Sequence, residues 1–444
     1  MFGDMNRSAV RSEGALVRAI GVFGLAAGIV NVTIGGSIFR LPANVAGSLG
    51  AAAPLAYVVC GVAMGLVVFC FAEAGSRVSL TGGPYAYVEI ALGPFVGFLC
   101  GVLLWMTGSL ALAAVSTLFV ANVAQLVPRL AGETVGDVFL ILVFAFLAMV
   151  NIRGVRQGTR LNNVFTVAKL LPLLLLSVAG AFAIDPANLR IAQMPSGGAV
   201  ASTSILLIFS FAGVESALIP GGEMKDPART VPRALLLAML AITVLYIWLQ
   251  IVAQGVLGAE LPGQSTPLAE AAGRSLGAWG RSLLLIGASV SMFGYVGGMT
   301  LAAPRALYAF GRDGFLPAAL ARVHPAYRTP YVAIATQAII ACALAVTNTF
   351  EKLAILANVA ALVLYAACAV AAWRLRRLNV SEGGPPFRMP GGAVIPWLAV
   401  GVIAWMLTPI KAAEWAALLA VLAVASAVFA ATRRRRAVAP AGAA

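Results

Sequence analysis

A chain of 444 residues that is 61% hydrophobic and only 10% charged, with a mean hydropathy of +0.96, lies far outside the composition of water-soluble globular domains. The formal net charge of +14 is dispersed among the loops between apolar runs, which excludes a nucleic-acid partner. The expected class is an all-α integral membrane protein.

Residues 1–16, with Arg7 and Arg11, read as a cytoplasmic N-terminal segment. The apolar run that follows is of membrane-span length, so it is a retained first helix rather than a cleaved signal peptide. Spans are expected at roughly 17–47, 50–76, 86–121, 134–153, 162–184, 199–224, 231–256, 279–309, 330–348, 353–376, 393–411 and 413–432. Each can cross about 30 Å of hydrocarbon as a helix, which makes twelve transmembrane helices. Most of the Arg and Lys residues, among them Arg77, Arg153, Lys225, Arg305 and Arg374, fall on the side of the N-terminus. That asymmetry predicts both termini in the cytoplasm of a multi-pass protein of the cytoplasmic membrane. Between the seventh and eighth spans, Pro267 to Arg274 is expected to form a short surface helix able to act as an outer lid. The basic tail, 433–444, is expected to be unstructured and to anchor on membrane lipid. The cysteines Cys60, Cys70, Cys100, Cys342 and Cys368 lie inside apolar runs without a CxxC pair, as small packing residues do.

Two spans are interrupted. The first contains Ile34-Gly35-Gly36-Ser37-Ile38-Phe39-Arg40-Leu41-Pro42, and the sixth contains Phe209-Ser210-Phe211-Ala212-Gly213-Val214-Glu215-Ser216. An unpaired backbone group in hydrocarbon costs several kcal/mol, so a helix breaks at mid-membrane only where the freed groups line a cavity. Breaks five helices apart are what two inverted five-helix repeats produce, here 17–184 and 199–376, with helices 11 and 12 (393–432) appended. The freed N–H groups near Ser37 and Ile38 suit a carboxylate, and carbonyls of Val32 to Ile34 and Ser210 to Gly213 suit an ammonium group.

At these residues the chain resembles the amino acid, polyamine and organocation (APC) superfamily of secondary transporters. The first break is similar to that family's Gly-Ser-Gly-Ile-Phe-x-x-Pro pattern, with Gly36-Ser37 in the reverse of the usual order. Glu223-Met224-Lys225-Asp226-Pro227 with Val231-Pro232, Arg312-Asp313-Gly314-Phe315-Leu316-Pro317, and Pro386-Phe387-Arg388-Met389-Pro390-Gly391 resemble its loop motifs. The resemblance, over about 17–410, implies a LeuT-like fold with discontinuous helices 1 and 6 and transport of an amino acid or related amine. It implies a substrate site at Ile34, Gly35, Gly36, Ser37, Ile38, Ala212 and Gly213, with Phe209 or Phe211 as the aromatic that closes over substrate. It also places Trp105 and Met299 at the side-chain end of the pocket. Arginine and agmatine antiporters of the family carry an asparagine and a tryptophan where this chain has Gly101 and Met299, a departure that makes neutral amino acids the first choice.

Three charges near the breaks are assigned to gating or coupling. Lys169 is similar to the family's fifth-helix lysine, whose ammonium occupies the place of a sodium ion beside the first break. Glu215 lies in the second break, where it can sense protons, link helix 6 to the gate, or satisfy broken-backbone N–H groups. Arg40 can meet Glu215, draw anions into an outer vestibule, or snorkel. The expected function is secondary active transport by alternating access, independent of sodium and coupled to protons or to exchange. The alternatives are an antiporter for cationic amino acids or polyamines and, from another class, a channel or nutrient receptor. No enzymatic role is expected: His324 is the single histidine, no HExxH or P-loop motif occurs, and no cofactor or metal is implied. The sequence leaves the oligomeric state open.

Overall fold

Inside hydrocarbon each segment must satisfy its own backbone polar groups, and a helix does so locally. The computed structural model describes residues 20–154, 159–219, 221–381 and 384–438. Among these the regular structure is helical apart from one isolated bridge between Ile20 and Met224. The expected segment 1–16, Arg156 and residues 439–444 lie outside the described residues.

The first span is two helices, α1 (Val22–Thr33) and α2 (Leu41–Leu49), separated by an irregular stretch with one 3-10 turn at Ser37–Phe39. Next comes α3 (Ala53–Arg77). The third span differs from the continuous helix expected over 86–121: a short α4 (Pro84–Leu92) precedes α5 (Pro94–Leu126). Gly93, at φ +94°, ends α4 in a conformation that favours glycine, and Pro94, which needs no N–H partner at a helix start, begins α5. Then follow α6 (Glu133–Arg153) and α7 (Thr159–Ala179). The sixth span is broken as expected into α8 (Gly197–Leu207) and a single turn, α9 (Val214–Ala217).

After α10 (Pro227–Leu257) the chain forms α11 (Pro267–Leu276), where the sequence predicted a short helix. Its Leu268, Ala269, Ala271 and Ala272 are buried, so it is wedged into the bundle rather than resting on the surface. The remaining helices are α12 (Ala278–Arg312), α13 (Tyr331–Thr347), α14 (Phe350–Arg377), α15 (Val394–Met406) and α16 (Ala412–Val438). The last one continues past Thr432, so the first residues of the tail are helical rather than unstructured; arginine is a good helix former and extends the alanine-rich run. Among the described residues, eight helical stretches are long and apolar enough to cross a membrane, and Val22–Thr33, Val167–Ala183, Tyr331–Thr347 and Val394–Met406 are shorter apolar helices. This is a multi-pass integral membrane protein.

Packing brings the two broken segments together. Helix α10 lies along α3 and α1, α14 along α5 and α3, and α12 along α5 and α7, with α9 against α1. At the end of the bundle that carries Arg77 and Arg376, here the basic end, Ile20 N–H donates to the Glu223 carbonyl (3.1 Å) and Lys225 N–H to the Ile20 carbonyl (2.9 Å). Close by, fully buried Glu73 accepts from Arg77 Nη2 (2.7 Å), Arg376 Nε (2.8 Å) and the Met389 N–H (3.1 Å). One carboxylate thus ties α3, α14 and the segment leading into α15.

Candidate functional site

At the first break the carbonyls are largely taken by the protein itself. Lys169 Nζ on α7 donates to the carbonyls of Asn31 (2.6 Å) and Ile34 (3.0 Å). Tyr246 donates its hydroxyl to the Thr33 carbonyl (3.2 Å), and Ser291 Oγ to that of Gly35 (3.3 Å). Of the carbonyls expected to receive an ammonium group here, Val32 alone accepts no hydrogen bond among the described residues. The N–H groups of Gly36, Ser37 and Ile38 are likewise without an acceptor among the described residues.

The second break is closed by Glu215. Its Oε2 accepts the Gly213 N–H (3.0 Å) and the Tyr365 hydroxyl (2.7 Å) from α14. Glu215 thus satisfies one backbone N–H freed at the break and joins the break to α14. Ser216 Oγ donates to the Gly213 carbonyl (2.6 Å), and Asn358 Nδ2 donates to the Ile205 carbonyl (2.6 Å), where α8 ends. Gly213 sits at φ +108°, and a Cβ there would lie 2.9 Å from Val32 Cγ1. The two breaks therefore touch, and a side chain at Gly213 would push them apart.

Between them lies a cavity of about 160 Å³. Gly35, Gly36, Ser37, Trp105, Phe209, Ala212, Gly213 and Met299, all expected at a substrate site, line it together with Glu215, which was expected in gating or coupling. Ile34, Ile38 and Phe211 are not in its wall. Their side chains are buried in the surrounding core, and Phe211 meets Tyr246 edge-on at 5.4 Å. Ile38 is one position beyond cavity-facing Ser37 in the Ser37–Phe39 turn, and Phe211, which ends the Ile208–Ser210 turn, is two beyond cavity-facing Phe209; at about three residues per turn these side chains point elsewhere. Wall residues that sequence reasoning missed include Tyr295, Thr107 and Asn358. Only Asn358 left a sequence signal, as an amide isolated in an apolar helix.

Arg40 does not meet Glu215. It pairs with Glu351 (3.7 Å) and donates to the Gln264 carbonyl (3.0 Å), at a second cavity of about 280 Å³ toward the far end of the bundle. Phe209 of the first cavity and Phe350 of the second contact edge to face at 5.7 Å and stand between the two spaces.

A family model described as Amino acid permease matches residues 20–439. The chain is 27% identical over 443 residues to the Methylthioribose transporter of Bacillus subtilis (strain 168), covering 95% of each chain. It is 28% identical over 414 residues to the Branched-chain amino acid permease BcaP of the same organism, covering 88% of each. Against the Serine/threonine exchanger SteT, also of Bacillus subtilis (strain 168), it is 30% identical over 356 residues, covering 77% of this chain and 79% of the relative.

Proposed function

The chain belongs to the amino acid permease family, within the APC superfamily, and from that premise we propose that it moves neutral amino acids across the cytoplasmic membrane by alternating access. The carrying observation is the cavity between the two breaks. Among the described residues it offers unpaired N–H groups at Gly36 and Ser37 on one side and the unbonded carbonyls of Val32 and Ala212 on the other. A zwitterion matches both: its carboxylate takes the N–H groups and its ammonium the carbonyls. A volume of 160 Å³ is close to the roughly 150 Å³ that admits a benzene-sized ligand, which favours a small side chain set against Trp105 and Met299.

Glu215 is the only charged residue among the described residues lining the cavity, and its Oε2 is already held by Gly213 and Tyr365. This favours a neutral substrate over the cationic amino acids or polyamines of the runner-up reading. Lys169 spans two carbonyls at the first break as a bound cation would, which supports sodium-independent transport, driven by protons or by exchange. The eight long and four shorter apolar helices among the described residues match the twelve crossings of this reading, and the paired breaks favour inverted five-helix repeats. The excess of Arg and Lys on the side of the N-terminus favours both termini in the cytoplasm.

The test is uptake by the full chain in liposomes of alanine, serine, leucine, phenylalanine, arginine, putrescine and methylthioribose. A pH gradient, a sodium gradient or internal substrate alone is imposed in turn. Saturable accumulation of neutral amino acids without sodium is the expected result. Accumulation only of arginine or putrescine, or sodium-stimulated uptake that survives Lys169→Ala, overturns the reading.

A further inference from the structure

We propose that Gln337 sets the size limit of the substrate side chain by fixing the Trp105 indole as a rigid wall of the cavity. Gln337 lies on α13, is fully buried, and does not itself border the cavity. The proposal rests on reading that cavity as the amino acid site.

Three hydrogen bonds form a closed ring across α5 and α13. Trp105 Nε1 donates to Gln337 Oε1 (2.9 Å), Gln337 Nε2 donates to Ser109 Oγ (3.0 Å), and Ser109 Oγ donates to the Trp105 carbonyl (2.9 Å). The indole is a donor only, so the amide can face it in one orientation, oxygen toward Trp105 and nitrogen toward Ser109. The ring ties the tip of Trp105 back to the backbone of the same residue through a neighbouring helix. An indole has two side-chain torsions, and an anchor at its N–H fixes both.

Elsewhere α13 packs through apolar side chains alone, its Ile334 and Ala338 clustering with Ala148 and Ile152 of α6. A buried amide in an apolar helix needs full pairing, and this one spends its pairing on one residue of the cavity wall and that residue's helix neighbour. Trp105 is half-buried and lines the cavity with Met299. A wall that cannot swing away admits small side chains and rejects bulky ones. Gln337 is thus a positioning residue, acting through Trp105.

The readout is the ratio of kcat/KM for alanine over leucine, with expression and total rate measured separately. Gln337→Met keeps the volume and removes the ring, and it is expected to lower the ratio about tenfold, the effect of one lost buried hydrogen bond. Trp105→Phe is expected to do the same, and Gln337→Met added to Trp105→Phe to do no more. In its protonated form Gln337→Glu can accept from the indole and donate to Ser109, so it is expected to restore the ratio. If Gln337→Met slows alanine and leucine equally, or if its effect adds to that of Trp105→Phe, Gln337 is helix-packing glue and the proposal is overturned. Should the unmodified protein take up neither amino acid, the reading of the cavity falls and the size limit with it; a normal unmodified protein with an unchanged ratio condemns Gln337 alone.

Discussion

Glu215 shows how one side chain can hold an interrupted helix together. Its Oε2 is acceptor to both the Gly213 N–H and the Tyr365 hydroxyl, so the break in the sixth span is joined to α14. An amide oxygen can accept the same two bonds, so Glu215→Gln is expected to retain most of the uptake, whereas Glu215→Ala loses at least about tenfold, since it leaves two buried donors unpaired. Loss of pH-driven uptake alone in Glu215→Gln, with exchange intact, would instead mark the carboxylate as a proton carrier. Lys169 is the counterpart at the first break. Removing its ammonium in Lys169→Met strips the Asn31 and Ile34 carbonyls of their donor and is expected to lower uptake at least about tenfold, with protein yield as the control. Both residues were legible as charges in apolar runs. The adjoining break was legible as a partner of each, but the particular carbonyls that Lys169 bonds and the Tyr365 hydroxyl were not, because those contacts join segments about 135 to 150 residues apart in sequence.

Among the elements, the breaks themselves depend on glycine at specific places. Gly213 combines φ +108° with a Cβ position 2.9 Å from Val32, so Gly213→Ala faces both backbone strain and a clash between the broken segments. A loss of about 2 kcal/mol and of most uptake is expected, checked by thermal melting in detergent and by liposome flux. At Gly35 the nearest atom to a Cβ is 3.7 Å away, so Gly35→Ala is expected to leave stability nearly unchanged. Glu73 governs a different junction. With Glu73→Ala, Arg77 and the partly buried Arg376 lose their shared carboxylate, and destabilisation by about 3–5 kcal/mol is expected from the melting temperature. Helix boundaries could mostly be read from apolar runs. The division of the third span into α4 and α5 could not, since Gly93-Pro94 sits in an apolar run where hydropathy alone sees no gap.

For the molecule as a whole, the cavity is asymmetric. It runs from Phe209 and Asn358 toward Gly101, Ala302 and Ala306, while the contact of Phe209 with Phe350 separates it from the Arg40–Glu351 space. Ala302 is exposed although it lines the cavity, and we read this arrangement as open toward the basic end. A cysteine at Ala302 is then expected to react with a membrane-impermeant thiol reagent from the side of the termini and to be protected by substrate. The unmodified chain serves as background, since its cysteines are unpaired and all but Cys342 are buried. Labelling from the opposite side only would reverse the assignment.

The amino-acid sequence by itself determined the membrane class, the helical runs, the two breaks and the charges near them, because hydropathy, glycine and proline act locally. Tertiary structure alone decided which backbone groups at the breaks stay free. It gave Arg40 to Glu351 rather than Glu215, turned Phe209 into the cavity and Phe211 away from it, and joined Trp105 to Gln337. Those outcomes depend on how helices distant in sequence are rotated against one another, and that rotation is fixed by packing across the whole bundle rather than by any one segment.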